Sequence, residues 1–376
     1  MPSRTERRRV VVTGADGFIA RNLRARLAEV EGIDVLPVTR ADDAAALARK
    51  MARADVVFHL AGASRPADVS GFAEDNVGFT RAVCDLAARC ERPPVIVFSS
   101  SVQAALDNPY GTSKRLAEEI VAGYGQETGA RFHILRLANV FGKGARPDYN
   151  SVVATICRNA ARGLPPPEGD AAVPLRLVYI DDVVEALVDL IDADRPSGFV
   201  EIGSVHEVTL GEVVALVAGF AACRRTPFVP RAGSGLARAL HATFLSYLEP
   251  AAFAYNVPVR SDARGDFVEM LKTGDFGQVS CFTARPGVTR GGHFHHTKTE
   301  RFVVVSGTAR FRLRNVDTGE TFATTAKAGE GQVLEIPPGW AHDVTNVGEG
   351  DLVCVVWANE DFDPARPDTV PAQVVP

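Results

Sequence analysis

Cysteine is sparse in this 376-residue chain and nowhere paired: Cys84, Cys90, Cys157, Cys223, Cys281 and Cys354 are scattered, with no C-x-x-C spacing. A disulfide framework is excluded, and reduced thiols in the cytoplasm are expected. No apolar run approaches the length of a membrane-spanning helix, so no membrane partner is expected. The opening MPSRTERRRVVVTG has basic residues but no apolar stretch before the first strand, which argues against a secretory leader. Charge of one sign is also lacking. Charged residues make up 23%, the net charge is -5 and the pI is near 6.0. These values argue against a nucleic-acid partner but leave a small anionic ligand open, because local basic residues can bind one. Repeats and low-complexity segments are absent. What is there is a globular composition, 46% hydrophobic, long enough for two domains.

From residue 9 to about 200, short β-branched runs alternate with Ala/Leu/Arg/Glu stretches. Strands are expected at Val10–Val12, Val35–Val38, Val56–Leu60, Val95–Phe98 and Phe132–Leu137. Helices are expected at Gly17–Val30, Thr80–Arg89, Ser113–Gly123 and Val183–Ile191. Such alternation predicts βαβ units and a doubly wound parallel α/β sheet of Rossmann type. Beyond about 250 the pattern changes to short strands broken by Gly, Pro and Asp turns, among them 299–306, 308–316 and 352–357. That predicts an all-β sandwich or barrel. The expected division is 1–249 and 250–376, with 223–258 read as a terminal helix and linker.

The first strand runs into Thr13-Gly14-Ala15-Asp16-Gly17-Phe18-Ile19-Ala20. Glycines at 14 and 17 permit a tight turn and let a pyrophosphate approach the N–H groups of the next helix, around Phe18 and Ile19. An acidic residue to hold a ribose 2′-hydroxyl is missing after the second strand, where Val38-Thr39-Arg40 stands instead. A hydroxyl and Arg40 suit a 2′-phosphate, so NADPH is favoured over NADH. The alternative is that Arg40 is a solvated loop residue and that Asp42 and Asp43 let both cofactors bind. Further on, Ser99-Ser100-Ser101 precedes Tyr110-Gly111-Thr112-Ser113-Lys114. Tyr110 and Lys114 share a helix face at i and i+4. The lysine charge is expected to lower the phenol pKa and make Tyr110 a general acid, with Ser101 holding a substrate carbonyl.

On these residues the first part resembles the extended short-chain dehydrogenase/reductase family. His59-Leu60-Ala61-Gly62 is similar to its cofactor-side loop, which implies that His59, Ala61 and Gly62 meet the cofactor. Arg136-Leu137-Ala138-Asn139-Val140-Phe141-Gly142 resembles the segment whose Asn meets a nucleotide sugar, here Asn139. In Tyr179-Ile180-Asp181-Asp182-Val183, Asp182 is expected to cap a helix. Two departures matter. The loop between Ser101 and Tyr110 is cut down, and no acidic residue stands beside Ser101, where sugar dehydratases of the family carry an acid/base pair. Elimination is disfavoured and ketone reduction favoured.

In the second part, Gly287, His293, His295, Glu300 and Gly307 fit G-x5-H-x-H-x4-E-x6-G. Gly331, Pro337, Gly339, His342 and Asn346 fit G-x5-P-x-G-x2-H-x3-N. Both patterns resemble the signatures of the cupin family. His293 and His295 alternate on an expected strand and so point into one barrel interior. With Glu300 and His342 they form a set suited to a divalent metal, zinc first and iron, manganese or nickel as alternatives. Asp262-Ala263-Arg264-Gly265-Asp266-Phe267-Val268-Glu269 is similar to a run in cupin nucleotide-sugar 3,5-epimerases. That similarity implies that Arg264, Phe267 and Glu269 meet a sugar nucleotide; a plain β-turn entering a strand is the alternative.

The whole chain resembles the bifunctional capsular-polysaccharide enzymes of the UDP-N-acetyl-L-fucosamine pathway, through segments such as Asn108-Pro109-Tyr110-Gly111, Thr243-Phe244-Leu245-Ser246-Tyr247-Leu248 and Asn359-Glu360-Asp361-Phe362-Asp363-Pro364. The resemblance implies C3 epimerisation of a UDP-2-acetamido-2,6-dideoxy-4-hexulose by the cupin, followed by NADPH-dependent C4 reduction to UDP-N-acetyl-6-deoxy-L-talosamine. A homodimer or higher homo-oligomer is expected, since cupins often pair through barrel edges. Competing readings are an enzyme on another nucleotide 4-ketosugar, a cupin dioxygenase fused to a reductase, and a non-catalytic NADPH sensor. Intact Tyr110 and Lys114 argue against the sensor.

Overall fold

The computed structural model describes residues 7–374 apart from Ala67, Val69, Ala193, Arg225 and Arg366. Its contacts group into two units, Met1–Val217 with Gly233–Leu248, and Ala218–Ala232 with Glu249–Pro376. In the second unit, residues 227–229 reach Lys272 through Lys272 N–H to Pro227 O and Val229 N–H to Lys272 O, both 2.7 Å. Among the described residues no helix is long and apolar enough to cross a membrane.

The first unit is an α/β domain of Rossmann type. β1 (Arg8–Thr13), β2 (Ile33–Val38), β3 (Val56–His59), β4 (Val95–Ser101), β5 (Phe132–Leu137) and β8 (Gly198–Phe199) form a sheet in the order β2-β1-β3-β4-β5-β8. All of its pairings are parallel. A parallel sheet is covered on both faces, which is why its strands read as unbroken apolar runs: Val10, Val11, Val12, Val56, Val57, Ile96 and Val97 are all buried. A second small sheet contains β6 (Asn139–Phe141), β7 (Pro174–Tyr179) and β9 (Val205–Thr209).

Helices follow the strands as α1 (Phe18–Leu27), α2 (Ala44–Met51), α3 (Ser70–Phe72), α4 (Phe79–Ala88), α5 (Pro109–Thr128), α6 (Val152–Ala161), α7 (Ile180–Asp189), α8 (Leu210–Cys223) and α9 (Gly235–Leu245). Between α3 and α4 the chain makes π-helical turns over Ala73–Gly78. Helix α5 starts four residues before the expected Ser113. Asn108 caps it by accepting from Gly111 N–H, and Pro109 presets its first turn. Asp182 is not a cap: it lies within the first turn of α7, where the N-cap is Tyr179 and no side chain closes the end.

The second unit is all β. One sheet runs β10 (Val259–Asp262), β11 (Gly265–Thr273), β12 (Gly277–Ala284), β19 (Leu352–Ala358), β14 (Glu300–Ser306), β17 (Val333–Ile336). The other runs β16 (Thr321–Lys327), β15 (Thr308–Asn315), β18 (Trp340–Asn346), β13 (Thr289–Phe294), β20 (Val370–Pro371). Phe282, Phe302, Cys354 and Val356 of the first sheet meet Ala309, Phe311, Leu313 and Val344 of the second in one core. This is the all-β architecture that the strand and turn pattern beyond residue 250 predicts.

A buried polar chain ties the strand ends of the first unit together. Thr13 Oγ1 accepts from Leu60 N–H and Ala61 N–H, both at 3.2 Å, and lies 2.8 Å from His59 Nδ1. With those two donors upon it, the Thr13 hydroxyl donates to Nδ1, so the ring proton sits on Nε2 and goes to Thr80 Oγ1 at 2.9 Å. Thr80 then donates to Asn76 O at 2.5 Å. The Asn76 side chain clasps both backbone groups of Ala63 and donates to Ser113 Oγ at 2.9 Å. Ser113 closes the chain on Tyr110 O at 2.7 Å.

Burial, helped by the charge of Lys114, brings the pKa of His59 down to about 3. Because the folded value lies below that of an unfolded imidazole, protonation favours the unfolded chain. Stability is therefore fully present above about pH 6.5 and drains away as the pH falls toward 3. Thermal melts followed by the helical far-UV signal should show a midpoint falling steadily below pH 6.5; a flat midpoint between pH 7 and 5 would contradict the neutral buried imidazole.

Candidate active sites and metal centre

At the end of β1 the chain turns through Gly14 at φ +63°. A Cβ at that position would stand 2.7 Å from the Ala61 Cα, so the first loop can lie against the third only with glycine there. Gly17 is the N-cap of α1, which leaves the first N–H groups of that helix, at Phe18 and Ile19, without partners inside it. Ala20 is buried in the contact of α1 with the sheet. His59 is placed differently from what the family resemblance implies. Its ring is 0% exposed and both nitrogens are engaged by threonine hydroxyls, so it orients the loop carrying Ala61 and Gly62 and cannot itself touch a ligand.

Arg40 is exposed just beyond β2. The two neighbouring carboxylates have other work. Asp42 accepts from Thr39 N–H at 2.8 Å and is paired with Lys50, while Asp43 caps α2 by accepting from Ala46 N–H.

Three consecutive serines at the end of β4 meet three residues spaced by four on α5. Ser99 O accepts from Lys114 Nζ at 2.7 Å. The Ser100 hydroxyl donates to Glu118 Oε1 at 2.5 Å. The Ser101 hydroxyl hydrogen-bonds the Tyr110 phenol and also accepts from Gln103 N–H. A short 3-10 helix, Val102–Ala105, fills the shortened loop and packs directly on the first turn of α5. A Cβ at Gly111 would lie 2.2 Å from Gln103 O, so only glycine allows that approach.

The phenol does not behave as expected. Burial raises the Tyr110 pKa, and the bond from Ser101 only partly offsets it. The Lys114 amine is turned onto Ser99 O and over the Phe98 ring, 4.4 Å from its centroid. Tyr110 is thus held protonated, the form a proton donor needs. Burial lowers Lys114 to about 8, against an upward push from Glu118.

Glu118 and Asn76 were not singled out from the sequence. Position 118 continues the 110–114 spacing by four, a signal that could have found it. Asn76 has no such signal, since its partners Ala63 and Ser113 come from other segments. Asn139 is exposed on β6 and lines a 470 Å³ cavity with Arg65, Asp148, Tyr149 and Ser151.

In the second unit, His293, His295, Glu300 and His342 converge, their nearest ligand atoms all within 4.8 Å of one another. β13 ends at Phe294, so His295 lies one residue past the strand and does not alternate along it with His293. His342 on β18 is the direct cross-strand partner of His293. Glu300 Oε2 is 3.3 Å from His295 Nε2 and 3.2 Å from His342 Nε2. Yet both Glu300 Oε2 and His295 Nε2 are buried without a well-formed hydrogen bond. Buried polar atoms left in this way fit a shared cation.

The second layer agrees with that fit. His295 Nδ1 faces Asp368 O at 2.5 Å, which directs Nε2 at the cluster. The Asp368 carboxylate accepts from the N–H groups of His296, Thr297 and Lys298 and fixes their loop. Burial, then the neighbouring His342 and His295, bring His293 down to about 4, a neutral imidazole at physiological pH.

A 270 Å³ cavity opens beside the cluster, lined by Arg264, Phe267, Arg290, His293, Glu300 and His342 among others. Glu269, expected to meet a sugar nucleotide, does not line it. Its carboxylate is paired with Lys272 at 2.9 Å and Arg260 at 3.4 Å. Arg290 does line it and was not anticipated; the signal was its place three residues before His293.

The chain belongs to the NAD dependent epimerase/dehydratase family, whose model matches residues 10–203. Residues 260–370 match a second family, the polysaccharide biosynthesis C-terminal domain. Over nearly its whole length the chain is similar to UDP-2-acetamido-2,6-beta-L-arabino-hexul-4-ose reductase of Pseudomonas aeruginosa, 44% identical over 367 residues, 97% of this chain and 99% of that one. The crystal structure of the capsular polysaccharide assembling protein CapF from Staphylococcus aureus superposes with a TM-score of 0.90 at 38% identity, covering 97% and 100% of the two chains. UDP-glucuronic acid 4-epimerase of Bacillus cereus in complex with NAD shares the fold over 64% of this chain and 98% of its own, at 16% identity and a TM-score of 0.55.

Replacing one imidazole should empty the metal centre. His295→Ala protein, purified beside the wild type and assayed by elemental analysis, is expected to carry at most about a tenth of the wild-type metal per chain. Equal metal content in the two would remove His295 from the ligand set.

Proposed function

We propose that the chain is a bifunctional nucleotide-sugar enzyme. The second unit epimerises C3 of a UDP-2-acetamido-2,6-dideoxy-4-hexulose, and the first reduces the C4 ketone with NADPH to UDP-N-acetyl-6-deoxy-L-talosamine, a step in building a cell-surface polysaccharide. The observation that carries this reading is the constellation of Ser101, a protonated Tyr110 and a buried Lys114 in a chain 44% identical to a named UDP-4-hexulose reductase.

The reduced nicotinamide supplies the hydride. Ser101 Oγ–H donates a hydrogen bond to O4 of the sugar, and Tyr110 Oη–H gives its proton to the same oxygen. The ammonium of Lys114 steadies the phenolate that remains. No acidic side chain follows Ser101, where Val102 begins the 3-10 helix, so nothing beside the ketone promotes elimination. NADPH is preferred to NADH because Asp42 is held by Thr39 and Lys50 and Asp43 caps α2, while Arg40 stands exposed just beyond β2.

For the second unit, His293, His295, Glu300 and His342 would hold a divalent cation, zinc by their chemistry, which would supply Lewis-acid charge beside the C4 ketone. Arg290 lines the adjoining cavity, and Arg264, paired with Asp262, lines it beside the cluster; together they would meet an anionic nucleotide sugar.

Incubation with the UDP-4-ketosugar in D2O separates the two activities. Tyr110→Phe should slow NADPH oxidation about 1,000-fold while leaving deuterium exchange at C3 intact, read by NMR; loss of both would end the division of labour. Arg40→Ala should raise the KM for NADPH about tenfold and leave that for NADH unchanged. Equal changes for both cofactors would return Arg40 to the status of a solvated loop residue.

A further inference from the structure

The serine triplet that meets Tyr110 and Lys114 also meets a residue with no place in the proton transfer. Glu118 is 4% exposed, one helical turn beyond Lys114 and two beyond Tyr110, on the same face of α5. Its carboxylate takes three hydrogen bonds: Ser100 Oγ at 2.5 Å, Arg136 Nε at 2.9 Å and Arg136 Nη2 at 2.6 Å. The Arg136 contact is the two-pronged form, which fixes direction as well as distance. Ser100 and Arg136 are register partners on β4 and β5, so one carboxylate pins the helix to two adjacent strands at their ends.

Stability alone does not account for such a group. A packed apolar side chain would hold a helix on a sheet as well or better, because a buried carboxylate must first be stripped of water, and its partner Arg136 stays partly in solvent. What an apolar residue cannot do is fix the rotation and height of α5 to a fraction of an ångström. From the argument that geometry sets proton transfer, we infer that Glu118 is a positioning residue for the ketone reduction proposed above, on which this inference rests. Through Ser100 and Arg136 it aims Tyr110 and Lys114 at the end of β4.

Its charge has a second effect, on Lys114. The groups facing that amine are Glu118 on α5, His59 on β3, and Ser99 O with the Phe98 ring on β4. His59 is neutral, and Glu118 is the carboxylate that counters the burial of Lys114. Without that charge the amine loses its proton at lower pH, and the support for a phenolate on Tyr110 goes with it.

Glu118→Gln keeps the size and a hydrogen-bond acceptor but removes the charge. In the full-length protein it should lower kcat for NADPH oxidation about tenfold at neutral pH, with KM for the UDP-4-ketosugar within about twofold. The alkaline limb of the rate profile should move about one pH unit toward acid. Glu118→Asp keeps the charge but is a methylene short. It should lower kcat with little movement of that limb.

Titration of Lys114 by 15N NMR of the lysine side chains, in protein without substrate, needs no turnover. A downward shift in Glu118→Gln supports the role whatever the substrate proves to be. Failure of the wild type to oxidise NADPH with the ketosugar would instead sink the reaction. Wild-type kcat and an unmoved Lys114 titration in Glu118→Gln, with only a lower melting temperature, would reduce Glu118 to a structural anchor and overturn the inference.

Discussion

The contact between the end of β4 and the first turns of α5 governs the rest of the first unit. A helix laid on a strand can slide and roll, and apolar packing restrains either motion only loosely. Here the strand offers a carbonyl and two hydroxyls in succession, at Ser99, Ser100 and Ser101, and the helix answers with Lys114, Glu118 and Tyr110. The other supports converge on the same helix. Gly111 lets the 3-10 turn sit against it, and the chain from Thr13 through His59, Thr80 and Asn76 reaches it at Ser113. The Gly14 turn and the Tyr110 helix are thereby linked through hydrogen bonds and not through apolar contact alone.

Burial sets the charge state in both units, to different ends. In the first it keeps the Tyr110 phenol protonated and weakens the hold of Lys114 on its proton, while His59 is kept neutral at physiological pH. In the second it makes His293 a neutral imidazole, the form in which a nitrogen lone pair is available to a cation. Burial also opposes a charge on Glu300, yet the closeness of His295 and His342 holds that carboxyl well below the usual range. Histidine nitrogens around one carboxylate are a donor set that suits a divalent metal.

Much of this was legible along the chain because it is local. A strand, a Gly-rich turn and a helix start within 13 residues can be recognised without the fold, and so can the spacing of Tyr110 to Lys114 and the clustering of His293, His295 and Glu300. The structure places each of these where short-range geometry predicts, apart from the end of β13, which leaves His295 just past its strand. The misreadings share one cause. His59 sits beside a loop that faces the turn, but its own ring is enclosed by Phe79 and Phe98. Glu269 stands in the right run of sequence, but Lys272 and Arg260 take its carboxylate. The phenol of Tyr110 is governed by how deeply it is buried, not by the lysine one turn away.

By itself the sequence determined which chemical groups are present and which lie next to each other within one or two turns of chain, since backbone periodicity converts spacing into a shared face. That sufficed for two units, a nucleotide-type turn, a Tyr–Lys pair and a histidine–carboxylate set. Only the tertiary structure decided which of those groups are buried, which are neutral, and which distant partner each one meets. The pairing of Glu118 with Arg136, and of Asn76 with Ser113, joins segments whose separation in sequence carries no information about distance. Burial and long-range electrostatics are properties of the packed whole, so they become readable only once the strands and helices have been laid against one another.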